Sequence, residues 1–416
     1  MKFPISQRSR HGCKTVLGAV LGIVLALLAA SCSQLAKDSP AEPAVAEPAQ
    51  AVTKKPATSA LSRDFRRLGR GWQRIEPGGD TVCSDGSPYA FFVRRGQPEK
   101  LMFYLQGGGA CWNLETCDPL LEPTYSIAAP QQFPERYDGI FNYDRDDNPL
   151  ADHTVVFVPY CSADVHLGDA SVRYERDAQQ MEKIRSAGNH AGAIARTFTV
   201  EHRGFANVQA ALAWTAVNVR APRSVFVTGS SAGSIPSPHY ALRISRQYPA
   251  ARIVQLGDAA GGYRRSTRTG NPNSTWNTVP VLAADPAYAN LSDDNFTYEQ
   301  LYLMAAAAAP DISFAAYDAA EDAVQKRFLA LSGEQTASLK NAIDANQADI
   351  AAAVPEFVSY IAGGDSHTIL ARPEFYTFTA DGYPVRKWVD DLVQGKTIPS
   401  VACSDCEAAS LISQGE

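Results

Sequence analysis

The chain has 416 residues, of which 45% are hydrophobic and 20% charged, and its formal net charge is −6. This balance allows a large buried core and excludes a disordered chain. No basic tract suited to a phosphate backbone follows the N-terminus, so no nucleic-acid partner is expected.

Lys2, Arg8, Arg10 and Lys14 form a basic start, and Val16 to Ala30 is an uncharged apolar run. Such a run is short for a membrane span and fits the core of an export signal. It ends at Ala29-Ala30-Ser31-Cys32, where small residues before a cysteine resemble the lipobox of bacterial lipoproteins. Residues 1–32 are therefore expected to be a lipoprotein-type signal peptide. Cys32 is the expected lipidation site, and its acyl chains would hold the chain on a bacterial membrane in the cell envelope. Cleavage near Ser31 without lipidation gives the periplasmic or secreted alternative. Residues 33–64 are rich in Ala and Pro and nearly lack large apolar side chains, as in a flexible tether. Residues 65–416 are expected to form a single α/β-hydrolase-like catalytic domain.

Six further cysteines follow: Cys83, Cys111, Cys117, Cys161, Cys403 and Cys406. An even number in an exported chain points to disulfides. Cys111 with Cys117 and Cys403 with Cys406 are close enough to pair locally, which leaves Cys83 for Cys161. A zinc ribbon would need a second Cys-x-x-Cys pair besides Cys403-Ser404-Asp405-Cys406, and the sequence has none, so no metal is expected.

Short apolar runs read as buried strands at Tyr89 to Val93, Leu101 to Leu105, Thr154 to Tyr160, Ser224 to Thr228, Ile253 to Leu256 and Ile312 to Ala315. Between them, Phe205, Val208, Leu212, Thr215 and Val219 recur at helical spacing. Tyr240 to Tyr248, residues 299–309 and residues 319–352 also read as helical. Residues 264–297 are polar and read as a long excursion over the active-site side. Strands alternating with helices argue for a mostly parallel central sheet covered by helices on both faces.

A serine hydroxyl becomes a nucleophile when it projects from a sharp strand-to-helix turn and a base can take its proton. Gly229-Ser230-Ser231-Ala232-Gly233 follows a β-branched run and precedes a helical segment, the setting for Ser231 as nucleophile. Gly107-Gly108-Gly109 directly follows the Leu101–Leu105 strand. Backbone N–H groups of Gly108 or Gly109, with that of Ala232, form the expected oxyanion hole. Of the histidines, only His239 and His367 follow Ser231. His239 lies on the helix leaving the turn, too near in sequence to reach back, so His367 is the expected base. Asp258, Asp318, Asp322 and Asp365 are all candidates for the acid. Asp164 and His166 follow a strand and are candidate pocket residues, as is Trp112. Trp112 and Trp276 are candidate rings for stacking on a sugar.

Taken together, Cys83-Ser84-Asp85-Gly86-Ser87-Pro88-Tyr89, Leu105-Gln106-Gly107-Gly108-Gly109-Ala110-Cys111-Trp112-Asn113, Tyr160-Cys161-Ser162-Ala163-Asp164 and the Ser231 turn resemble the pectin acetylesterase family, which includes Notum-type carboxylesterases. The resemblance is nearest the family's bacterial side, and Gln106 stands where a glutamate is usual. It implies that the acid lies in an Asp-x-x-Gln motif, matched by Asp322-Ala323-Val324-Gln325, and that the histidine motif falls on His367. It also implies a serine carboxylesterase that removes a short acyl group, acetyl foremost, from a carbohydrate or polyol ester without a cofactor. A lipase-like or polyester-hydrolysing enzyme is the alternative within the same chemistry. A non-catalytic glycan-binding lipoprotein is the alternative outside it.

Overall fold

The computed structural model describes residues 69, 71–127, 133–188, 193–264, 272–334 and 338–407. The signal-like segment, Cys32 and the tether lie outside the described residues. The strands of the first half are β1 (Trp72–Ile75), β2 (Phe91–Arg94), β3 (Gln97–Leu105), β4 (His153–Val158), β5 (Ala170–Glu175) and β6 (Thr197–His202). They are followed by β7 (Ser224–Ser230), β8 (Arg252–Asp258), β9 (Ser313–Ala319), β10 (Val358–Ala362), β11 (Thr379–Ala380), β12 (Tyr383–Pro384) and β13 (Val401–Ala402). The helices are α1 (Leu114–Cys117), α2 (Ala178–Ala187), α3 (Gly204–Asn218), α4 (Ser237–Gln247) and α5 (Pro272–Trp276). Then come α6 (Thr278–Ala283), α7 (Tyr298–Ala308), α8 (Ala323–Leu331), α9 (Leu339–Ala353) and α10 (Val385–Val393).

Nine strands form one sheet in the order β1-β2-β4-β3-β7-β8-β9-β10-β13. Only the β1–β2 and β2–β4 pairs are antiparallel; the rest of the sheet is parallel. The period-2 alternation of a strand explains how runs as apolar as Leu101–Leu105 are accommodated. Leu101, Phe103 and Leu105 point into one core with side chains of α3, α4 and α7. Met102 and Tyr104 point into a second core with Phe141, Phe375 and Trp388. The sheet is therefore buried on both faces, as the alternation of strands and helices predicts.

Of the expected apolar stripe, Val208, Leu212 and Thr215 on α3 and Val219 just after it are buried, and Phe205 is half-buried. Residues 319–352 do not form one helical stretch. β9 runs on to Ala319, and α8 ends at Ser332-Gly333, where Gly333 has φ +79°. A left-handed glycine there is the ordinary stop signal, which the alanine-rich composition obscured. Residues 264–297 are not featureless either: their described part carries α5, α6 and a 3₁₀ turn at Pro286–Tyr288. Disulfides join Cys83 to Cys161, Cys111 to Cys117 and Cys403 to Cys406. No helix among the described residues is long and apolar enough to cross a membrane.

Candidate active site

Ser231 stands immediately after β7, in a left-handed backbone conformation with φ +56°. That conformation is costly for a side chain larger than hydrogen, and it turns the Ser231 side chain out of the line of the strand. The turn is possible because its neighbours lack side chains. A Cβ on Gly233 would come 2.1 Å from the Leu105 carbonyl oxygen. A Cβ on Gly107 would come 2.4 Å from the Ser230 carbonyl oxygen and 2.7 Å from the Ser231 Cβ. The glycine run after β3 is thus seated directly against the serine turn. None of the backbone hydrogen bonds among the described residues uses the N–H of Gly108, Gly109 or Ala232.

Two carboxylates contend for the acid role. Asp322, fully buried, caps α8: one carboxylate oxygen accepts from Val324 N–H at 2.9 Å and Gln325 N–H at 3.0 Å. Its other oxygen lies 2.7 Å from His367 Nδ1 and also takes the Gln325 amide at 3.1 Å. A carboxylate only accepts, so Nδ1 carries the proton of this pair, and in the neutral imidazole Nε2 then keeps its lone pair. That Nε2 has no hydrogen-bond partner among the described residues. Asp318 lies inside β9 and accepts from Gly261 N–H at 2.8 Å, Gln325 at 3.1 Å and Gln347 at 3.3 Å. Burial pushes its carboxyl up to about 7, against these hydrogen bonds. Asp365 is exposed, and its carbonyl receives the Ala323 N–H. Gln325 therefore holds both buried carboxylates, which explains physically why a glutamine follows Asp322 by one helical turn.

The loop carrying His367 is fastened on two sides. Glu321 N–H donates to the Gly364 carbonyl, and Ala323 N–H to that of Asp365. On the other side, Ile369 and Leu370 N–H donate to Asp258, which also receives the Ser230 hydroxyl.

A cleft of about 790 Å³, counting the solvent open to it, lies beside Ser231. Ser231, Ala232, Gly109, Ala110 and Trp112 belong to its wall. The rest of the wall is strongly apolar, with Ile235, Tyr263, Phe296, Tyr298 and Phe328, and no charged side chain among the described residues lines it. Pro272, Asn273, Trp276, Phe296 and Thr297 reach the wall from in or beside the segment that reads as a polar excursion. Its scattered aromatics were the available signal. Trp276 is buried, with its indole N–H held by the Cys111 carbonyl at 2.7 Å, whereas Trp112 is half-buried.

Asp164 and His166 do not line this cleft. Both are buried behind it, because each already serves the backbone. Asp164 accepts from Ser162 Oγ at 2.6 Å and from Gly204 N–H at the start of α3 at 2.7 Å. Nε2–H of His166 donates to the Gln106 carbonyl at 2.7 Å, bracing the peptide that enters the glycine run. Burial holds this imidazole down at about 4, so it is neutral. Cys111, Cys117 and His202 lie close enough to be considered as metal ligands, but the two sulfurs are bonded to each other.

His239 is buried in α4, and neither ring nitrogen has a partner among the described residues. Burial, with Arg243 adding, holds it down at about 3. The unfolded imidazole takes up a proton below about 6.5 whereas the folded one does not, so stability falls as pH drops from about 6.5 toward 3. The loss amounts to about 2 kcal/mol by pH 5 for this group alone. His239→Leu is expected to show a smaller fall in urea midpoint between pH 7 and pH 5 than the parent chain. An equal fall would contradict this role.

The chain is similar to known proteins. Residues 76–279 match the pectinacetylesterase family model. An inactive palmitoleoyl-protein carboxylesterase, notum1b of Danio rerio, is 32% identical over 103 residues, which are 24% of this chain and 73% of that protein. The chain belongs to the pectinacetylesterase family. The human palmitoleoyl-protein carboxylesterase NOTUM is 34% identical over 95 residues, 22% of this chain and 19% of that protein. The match thus spans about one fifth of the length of such a relative. The solved Wnt deacylase Notum from Drosophila shares the fold at a TM-score of 0.56 and 16% identity, over 82% of this chain and 99% of that one. The stretch matched to the pectinacetylesterase model includes the glycine run and Ser231; Asp322 and His367 lie beyond it.

Proposed function

We propose that this pectinacetylesterase-family chain is an exported serine carboxylesterase with Ser231 as nucleophile, His367 as base and Asp322 as the orienting acid. The observation that carries the reading is the Asp322–His367 hydrogen bond at Nδ1, which leaves the buried Nε2 as the nitrogen open to a proton from Ser231. That nitrogen takes the Ser231 proton as Oγ bonds to the ester carbonyl carbon. The oxyanion is met by N–H groups of Gly108 or Gly109 and of Ala232, whose preorganisation avoids the cost of reorienting water. The tetrahedral species then expels the alcohol, which takes the proton back from His367. Water, deprotonated by the same nitrogen, attacks the acyl-serine; the second tetrahedral species expels Ser231 Oγ, which takes the proton back from His367, and the acid leaves. No step calls for a cofactor. Three disulfides support an oxidising compartment, and the lipid anchor at Cys32 is proposed from the N-terminal sequence alone.

The cleft bears on the acyl group. Among the described residues its wall is uncharged and rich in aromatics, which suits an apolar chain, and an acetyl group would meet only a small part of it. We therefore favour an acyl chain longer than acetyl over the short-acyl reading, with the alcohol a carbohydrate or another polyol. Each methylene buried in such a wall contributes about 0.8 kcal/mol, or about fourfold in kcat/KM. With p-nitrophenyl esters from acetate to decanoate, kcat/KM is expected to rise with chain length through hexanoate. A maximum at acetate would restore the short-acyl reading, and no turnover of any ester would favour the non-catalytic one.

A further inference from the structure

Asp258 is a fully buried carboxylate that takes no part in the proton transfers described above. It ends β8, the strand beside the one that delivers Ser231. Its Oδ2 accepts the Ser230 hydroxyl at 2.6 Å and the Leu370 N–H at 3.1 Å, and its Oδ1 accepts the Ile369 N–H at 3.0 Å. Ser230 in turn receives the Tyr104 hydroxyl at 3.0 Å. Ser230 immediately precedes Ser231, and Ile369 and Leu370 follow His367 by two and three residues. One carboxylate therefore ties the serine turn to the histidine loop on the side that Asp322 and α8 do not hold.

We infer that Asp258 is a positioning residue that fixes His367 against Ser231. The inference rests on the reading of those two residues as base and nucleophile. Oδ2 also lies 3.2 Å from the Ile369 N–H, so an amide oxygen at that position would reach all three donors. Its NH₂ would then face the Ile369 N–H where Oδ1 now accepts at 3.0 Å, a donor against a donor that a carboxylate avoids. The burial is not free, since it pushes the carboxyl up to about 6 against the three hydrogen bonds. A nucleophile and base displaced by about 1 Å lose about 100-fold in rate, whereas binding in a cleft whose wall is unchanged does not suffer. A brace that matters for folding alone would lower stability and leave the turnover of folded molecules intact.

The test uses the full chain, a p-nitrophenyl ester that it turns over, and the variants Asp258→Asn, Ser230→Ala and their double. Asp258→Asn is expected to lower kcat about 100-fold with KM within about twofold. Ser230→Ala removes one of the three donors, so it is expected to lower kcat about tenfold, again without a change in KM. The double variant is expected to be no slower than Asp258→Asn, because both changes break the same bridge. Should Asp258→Asn fail to fold by circular dichroism, Ser230→Ala carries the test. Unchanged kcat in the folded variants, or losses that multiply in the double, would overturn the inference. Turnover surviving in Ser231→Ala would instead remove the nucleophile assignment beneath it.

Discussion

Ser231→Ala is expected to lower kcat by a factor on the order of 10⁵ to 10⁶, because the oxyanion donors and the cleft remain but no atom can carry the acyl group. The fold should not notice. The left-handed backbone at Ser231 costs alanine what it costs serine, since the strain lies in the Cβ that both possess. The urea midpoint and far-UV spectrum are therefore expected to match those of the parent chain. A folded Ser231→Ala chain that keeps even a hundredth of the parent rate would place the nucleophile elsewhere.

The second large effect separates the two buried carboxylates. Asp322→Asn is expected to reduce kcat by about 10⁴-fold, because an amide facing Nδ1 presents either a weaker acceptor or a donor that forces the wrong tautomer. Asp318→Asn is expected to stay within about tenfold, since Asp318 holds Gly261, Gln325 and Gln347 rather than His367. Steady-state kinetics of the two variants, with circular dichroism to establish folding, gives the comparison. A loss confined to Asp318→Asn would reverse the assignment.

Much of the architecture is legible in the sequence because the central strands are buried on both faces and read as continuous apolar runs. β3, β4, β7 and β8 are of this kind. β5 and β6 are not: Ala170–Glu175 and Thr197–His202 pair only with each other, leave many residues partly exposed and carry charges among their β-branched positions. β10 is obscured by the small residues that follow it into the histidine loop. At the site, the serine turn and the glycine run are local motifs and can be read directly. The acid cannot, because Asp258, Asp318 and Asp322 all lie at or just beyond the ends of neighbouring parallel strands. Composition gives them equal standing; what differs is which donors the fold brings to each. Asp164 and His166 show the converse. Their residue types suggest chemistry, yet their hydrogen bonds are spent on a helix start and a carbonyl beneath the glycine run. The cleft wall is the least legible part, since it gathers aromatics such as Phe296 and Phe328 from segments distant in sequence.

The proposed chemistry stands or falls on Ser231 being an activated nucleophile whose activation depends on His367. The most direct measurement is labelling of the native chain with a fluorophosphonate, followed by mass spectrometry of its peptides. The expected result is one phosphonyl group per chain, on Ser231, and none in His367→Ala over the same interval. A label on another residue, or equal labelling of Ser231 when His367 is gone, would contradict it.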